Sequence, residues 1–191
     1  DFSKYVHQNT KLLSIVAFEP HHESYKRSIK RFKNDLRINI VNKAVGAKSE
    51  KSFLYDYPDQ NGSGHATMIK DVIENFHHNS SIAIEIDVLK LDEYQFDKNV
   101  NFVKIDVEGN EKNVLIGMQK MLKIHDIRYL LIEFNEMNSK SNTFLSDLFK
   151  LTSGYDVFRI LPGGKLIKLN SKYLPWSHEI FAYQNLLFKK V

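Results

Sequence analysis

One stretch constrains this chain more than any other: Val103-Lys104-Ile105-Asp106-Val107-Glu108-Gly109-Asn110-Glu111. A short run of branched apolar residues ends in two carboxylates and a glycine, and a helical pattern follows at once. A buried parallel strand reads this way when it delivers acidic side chains to the carboxyl edge of a sheet, where open α/β folds bind ligands. Residues two apart on a strand project to one side. Lys104, Asp106 and Glu108 therefore line one face if strand geometry persists to Gly109. The other reading is a structural lysine–carboxylate pair inside the sheet, which needs partners to offset desolvation. Because Gly109 ends the strand, Glu108 falls at the sheet rim. A rim carboxylate can orient a substrate hydroxyl or act as a general base.

The rest of the chain alternates apolar strands with helical spacing. The pattern predicts a helix over 1–11, a strand over 12–18, a helix over 21–34 and a strand over 38–45. A short strand over 52–57, a turn-rich loop over 58–64 and a helix over 66–78 follow. A half-exposed strand over 82–88 leads to the central strand over 101–107. An amphipathic helix over 109–124, a strand over 128–134 and a helix over 138–152 come next. Residues 154–169 read as a hairpin around Pro162-Gly163-Gly164, and 185–190 as a last strand. Alternating strands and helices argue a parallel sheet covered on both faces. The expected fold is α/β, one domain over 1–191, with a mostly parallel sheet of about seven strands and an antiparallel C-terminal edge.

Composition narrows the chemistry. The sequence contains no cysteine, which excludes disulfides, thiolate zinc sites and a cysteine nucleophile. A reducing cytoplasm is compatible with this and is the expected location. No apolar run reaches the roughly 18 residues of a membrane span. The net charge is only +4, and the one basic cluster (Lys26, Arg27, Lys30, Arg31 and Lys33) has helical spacing and no aromatic platform. It reads as a solvated helix face, and no nucleic-acid partner is expected.

Other residues add to the acidic rim. Glu19 directly follows an apolar strand, where a carboxylate can accept hydrogen bonds from both hydroxyls of a ribose. It could equally be an N-terminal carboxylate favoured by the helix dipole. Glu133 ends the neighbouring strand and can lie near Glu108. Three rim carboxylates could hold a divalent cation through oxygen, but no acidic spacing is diagnostic, and no metal is expected. His65, in the glycine-rich loop, is the best histidine candidate for a site.

Six motifs in order resemble the FkbM family of S-adenosylmethionine-dependent methyltransferases. They are Val16-Ala17-Phe18-Glu19-Pro20, Asn42-Lys43-Ala44-Val45-Gly46, the segment from Asp87 to Tyr94, the segment from Lys104 to Glu111, Leu130-Leu131-Ile132-Glu133, and Asn185-Leu186-Leu187-Phe188. The resemblance implies a Rossmann-like methyltransferase sheet that binds S-adenosylmethionine. It places Glu19 and Pro20 at the cofactor ribose, Ala44 and Val45 beside the adenine, and Asp106 where cofactor meets acceptor. Asp106 and Glu108 are the catalytic candidates it implies. The reaction implied is methyl transfer to a hydroxyl of a sugar, glycan or small secondary-metabolite acceptor. Segments 59–78 and 162–178 are expected to build the acceptor pocket, with 59–67 closing over it. The family also opens with a strand and a glycine-rich cofactor turn that do not precede Asp1 here. The expectation is therefore an N-terminally truncated domain, with the activity belonging to the complete protein. The competing expectations are a non-catalytic interaction module on the same fold and a nucleic-acid methyltransferase. The modest charge and the lack of an Asn-Pro-Pro-Tyr motif count against the latter.

Overall fold

The computed structural model describes residues 14–58, 62–76, 78, 80–169, 172 and 174–191. The helix expected over 1–11, the start of the strand expected at 12 and residues 59–61 of the expected loop lie outside the described residues.

The chain first builds a β–α–β unit from β1 (Ile15–Phe18), α1 (His22–Phe32) and β2 (Ile38–Val41). The two strands run parallel, with Ile15 opposite Ile38 and Phe18 opposite Val41. Asn42 then donates its side-chain amide to the carbonyls of Glu19 (2.8 Å) and Pro20 (3.1 Å). This ties the ends of both strands together, and the chain bends, with the Lys43 N–H donating to the Val41 carbonyl at 2.9 Å. The strand expected over 38–45 is therefore two strands in two sheets. Beyond the bend, β3 (Ala44–Val45) runs parallel to β5 (Ile82–Leu89). Along the other side of β5, β4 (Glu50–Asp56) runs antiparallel. β5 alternates as its sequence does. Ile86 and Val88 pack with Ala44 and Leu54, while Glu85 and Asp87 face outward and both pair with Lys51, at 3.4 and 2.9 Å.

The third sheet holds the main core. Its order is β6 (Phe102–Ile105), β7 (Tyr129–Phe134), β10 (Gln184–Lys190), β8 (Tyr155–Ile160) and β9 (Leu166–Lys168). β6 and β7 are parallel, and the other three pairings are antiparallel. One face presents Ile105, Leu130, Ile132, Phe134, Val157, Leu186 and Phe188. Onto it pack Val114 and Leu115 of α2 (Glu111–Gly117), Met121 of α3 (Met121–Ile124), and Leu145 and Leu148 of α5 (Leu145–Leu151). The short α4 (Met137–Lys140) follows β7 directly. Each fully buried Leu, Ile or Phe contributes about 1.5–3 kcal/mol, so this layer dominates the stability. Among the described residues, β1 pairs only with β2, and β6 only with β7.

Three expected helices change form. The helix over 109–124 breaks after Gly117 into α2 and α3. A β-carbon at Gly117 would lie 2.0 Å from the Gly46 carbonyl oxygen, so α2 rests on bare backbone at the end of β3. Asp92 accepts the Lys120 and Met121 N–H groups, both at 2.9 Å, and so starts α3. Its neighbour Leu91 is buried in the main core. The helix over 138–152 divides into α4 and α5 around Asn142, whose φ is 52°. Within 66–78, the described helix is shorter, residues 70–76, and it includes the π-helical turn Val72–Phe76; Thr67, ahead of it, pairs with Tyr55.

The fold is thus mixed α/β. In place of one mostly parallel sheet of about seven strands, the described residues form ten strands in three sheets. Four of the seven strand pairings are antiparallel. The bend at Asn42 splits off the second sheet. β4 reverses along β5, β9 folds back on β8, and β10 enters between β7 and β8 in the opposite direction.

Replacing Gly117 with Ala drives a methyl group into the Gly46 backbone. Overpacking of this kind costs about 1–3 kcal/mol, so the urea midpoint of Gly117→Ala falls with an unchanged slope. An unaltered midpoint would show that helix and strand part without cost.

Candidate active site

β6 ends at Ile105, and the chain turns through residues 106–110 into α2. Glu108 and Gly109 both lie at positive φ, 51° and 100°. Glu108 is therefore out of strand geometry, and alternation along a strand does not set its direction. The turn sets it instead. Asp106, Glu108 and Glu133 each present a carboxylate oxygen within 4.8 Å of the other two. Glu133 comes from the neighbouring strand, where Ile105 lies opposite Ile132, so Asp106 and Glu133 follow side by side. Gly109 has no substitute in this turn. A β-carbon there would meet Ile69 Cδ1 at 2.9 Å and the Met137 carbonyl oxygen at 3.2 Å, and its φ already disfavours other residues. The Thr67 hydroxyl donates to the Glu108 carbonyl at 2.8 Å, which brings the segment after β4 to this rim.

The three carboxylates have unequal support. Lys104 Nζ pairs with Asp106. Glu133 accepts from Asn135 Nδ2 at 3.1 Å, and the nearby Tyr183 hydroxyl favours its charged form. Glu108 is half-buried, and its Oε2 is enclosed with no hydrogen-bond partner among the described residues. Burial pushes the Glu108 carboxyl up to about 8, and the charges of Glu133, Asp106, Glu111 and Glu136 push the same way. Burial also raises Glu133, with Asp106 adding to it. The raised Glu108 meets the repulsion by holding a proton.

Behind the turn lies Glu111, buried at 2% exposure. Its Oε1 accepts the Val107 N–H at 3.3 Å and the Gly109 N–H at 3.2 Å, and its Oε2 accepts Asn138 Nδ2 at 2.6 Å. Asn138 Oδ1 accepts the Asn135 N–H at 2.9 Å. Burial raises the Glu111 carboxyl, against the lowering effect of these bonds. Glu111, Asn135, Asn138 and Tyr183 were not among the sequence candidates. Glu111 stands in the first turn of a helix, where an acidic side chain reaches back to free N–H groups. Asn135 and Asn138 have the spacing of neighbours on a turn. For Tyr183 the sequence carries no signal.

Glu19 stands at the carboxyl end of β1, half-buried. Its Oε1 accepts the His21 N–H at 2.9 Å, and no described residue bonds its second oxygen. Burial raises its carboxyl, while the His21 bond and then Arg27 lower it. Glu19 thus holds the N–H of the residue just ahead of α1, and half its capacity is left over. Pro20 and Asn42 line a groove of about 330 Å³ with Lys51, Glu85, Ile86 and Asp87. Ala44 is buried in the core of the second sheet. Val45 is half-buried, and its carbonyl accepts Asn110 Nδ2 at 3.4 Å, which places it beside the start of α2. The structure therefore gathers Asp106, Glu108 and Glu133, leaves Glu19 and Pro20 on the two-stranded sheet, and puts Ala44 in a core. His65 is exposed, edge-on to Tyr57.

An α/β fold with carboxylates gathered where a parallel strand ends is a ligand-binding architecture. The sequence profile of the methyltransferase FkbM domain matches residues 1–157, and the chain belongs to the FkbM methyltransferase family. The fold is similar to the crystal structure of methyltransferase FkbM from Methylobacillus flagellatus KT, with a TM-score of 0.56 and 16% sequence identity. That similarity covers 98% of this chain and 40% of the solved one, so this chain spans well under half of its length. No curated protein matches the sequence. No helix of the described residues is long and apolar enough to cross a membrane.

The raised Glu108 carboxyl links stability to pH. From its ordinary value of 4.5 up to about 8, the folded state binds a proton that the unfolded state has released. Stability therefore falls as pH rises through that window. Glu108→Gln removes this dependence, so the variant melts above the parent at about pH 9 and the gap closes towards about pH 5. A melting difference that is flat across this range would contradict the raised carboxyl.

Proposed function

We propose that the chain is part of an S-adenosylmethionine-dependent O-methyltransferase that acts on a hydroxyl of a sugar, glycan or small secondary-metabolite acceptor. The observation that supports this most is Glu108, a half-buried carboxyl raised to about 8 beside two further carboxylates. Bound S-adenosylmethionine supplies an electrophilic methyl group. The protein then has to align a hydroxyl with that carbon and receive the hydroxyl proton.

Glu19 fits the cofactor ribose. It is a strand-end carboxylate with one oxygen engaged and one available, which suits a diol donor. Pro20 begins the adjoining groove. Of the pair assigned to adenine, half-buried Val45 has surface to offer, while Ala44 supports it from the core. Glu108 would take the proton of the acceptor hydroxyl as that oxygen displaces the cofactor's sulfur from the methyl carbon, the sulfur leaving as a neutral thioether. Asp106, its charge balanced by Lys104, orients the hydroxyl where cofactor and acceptor meet. Thr67 and Ile69 bring the proposed acceptor segment against the same turn. The low net charge argues for a neutral acceptor and against nucleic acid. The absence of cysteine suits the reducing cytoplasm, where this reading places the protein.

Calorimetric titration of the full-length protein with S-adenosylmethionine shows binding, and Glu19→Ala weakens it by about 10–100-fold, the worth of hydrogen bonds to a charged group. Absence of heat with the parent protein would overturn the assignment. On an acceptor found by screening sugars for label transfer, Glu108→Gln lowers turnover by about 10²–10⁴-fold and leaves cofactor affinity intact. The parent's acid limb of kcat/KM lies near 8. A profile flat from pH 6 to about 9 would remove Glu108 as the base.

A further inference from the structure

Glu108 holds an unfavourable backbone conformation and an underbonded side chain, so something else has to fix it. Its own carboxylate does not, since Oε2 has no partner. The Thr67 hydroxyl holds only its carbonyl. The groups on either side are held from behind. The Val107 and Gly109 N–H groups both point at one oxygen of Glu111. A single anion bridging the amides that flank a left-handed residue locks that residue's turn.

The other Glu111 oxygen extends the lock. Asn138 Nδ2 donates to it, Asn138 Oδ1 accepts the Asn135 N–H, and Asn135 Nδ2 donates to Glu133. Glu111, Asn135 and Asn138 are all at most 4% exposed, and their partners are internal. The chain of bonds begins at the turn that carries Glu108 and ends on Glu133, the carboxylate facing it. It is the only continuous polar path between the two among the described bonds.

We propose that Glu111, acting through Asn138 and Asn135, is a positioning residue that sets the left-handed turn at Glu108 and its spacing from Glu133. It touches neither acceptor nor cofactor. The inference rests on the reading of Glu108 as the base, but its geometry stands without any ligand.

The bonding pattern dictates a rescue. In Glu111→Gln the new amide nitrogen meets the amide of Asn138, donor against donor. Rotating Asn138 to relieve this sacrifices its bond from the Asn135 N–H. Combining Glu111→Gln with Asn138→Asp restores every pairing with the polarity of one bond reversed and the total charge unchanged. The readout is the titration of the Glu108 side-chain carboxyl by carbon-13 NMR, assigned by its loss in Glu108→Gln. The groups facing Glu108 are Asp106 with its partner Lys104, Glu111, Glu133 with the nearby Tyr183, and Glu136, and all remain in place in the double variant except Glu111.

In Glu111→Gln the Glu108 midpoint falls by about one pH unit or more, because the turn relaxes toward water and one facing charge is gone. In the double variant it returns most of the way. If Glu111→Gln does not fold, Asn138→Ala cuts the path with Glu111 kept, and the midpoint falls there too. A folded Glu111→Gln or Asn138→Ala with an unmoved Glu108 midpoint, or a double variant no closer to the parent than the single, would overturn the proposal. Calorimetry of the parent with S-adenosylmethionine, run alongside, reports separately on the enzymatic reading.

Discussion

Carboxylates crowded at a half-buried rim repel one another, and the arrangement of this domain depends on how that repulsion is contained. Asp106, Glu108, Glu111 and Glu133 all converge on the end of β6 and β7. Each is treated differently. Asp106 has a lysine, Glu133 has an asparagine, and Glu111 has backbone N–H groups and Asn138. Glu108 alone is left to hold a proton. Buried charges must be paired, hydrogen-bonded or neutralised, and this one rim uses all three solutions. The group that is neutralised is the one whose protonation is free to change during a reaction.

The surrounding scaffold is rigid where the rim needs it. Gly117 lets α2 rest on the backbone at Gly46, and α2 begins at Glu111. Asp92 and Leu91 fasten the second sheet to the same helix pair. Lys112 reaches Asp147 of α5 at 3.0 Å, and Glu179 accepts the Leu145 and Ser146 N–H groups that open α5, at 3.1 and 3.2 Å. The helix that carries Glu111 is thus fixed from three sides. That makes the turn at Glu108 a consequence of the core, to which a flexible loop could not be held so closely.

Much of this was legible in the sequence because it rests on local periodicity. The alternation of Ile86 and Val88 with Glu85 and Asp87 forms the half-exposed strand that it predicts. The run over 128–134 becomes β7, and the pattern around Pro162-Gly163-Gly164 becomes the β8–β9 hairpin. The errors lie where a single polar contact overrides propensity. Asn42 bends a strand that hydrophobicity would carry on to Val45. Thr67 pairs with Tyr55, and the predicted helix is described only from residue 70 to 76. Such contacts join residues distant along the chain, and no window of sequence contains them.

The sequence by itself determined the residue types at the rim, the glycine that lets the chain turn there, and the family, since five of the six ordered motifs fall within the profile match over residues 1–157. Only the tertiary structure decided how those residues work together. Strand alternation would place Asp106 and Glu108 on one face, yet Glu108 leaves the strand at positive φ and still meets Asp106. Glu133 joins them through the register of β6 on β7, and Glu111 turns inward to hold the amides on both sides of Glu108. The physical reason is that a carboxyl's protonation depends on burial and on neighbouring charges, and both are properties of the folded assembly of segments distant in sequence.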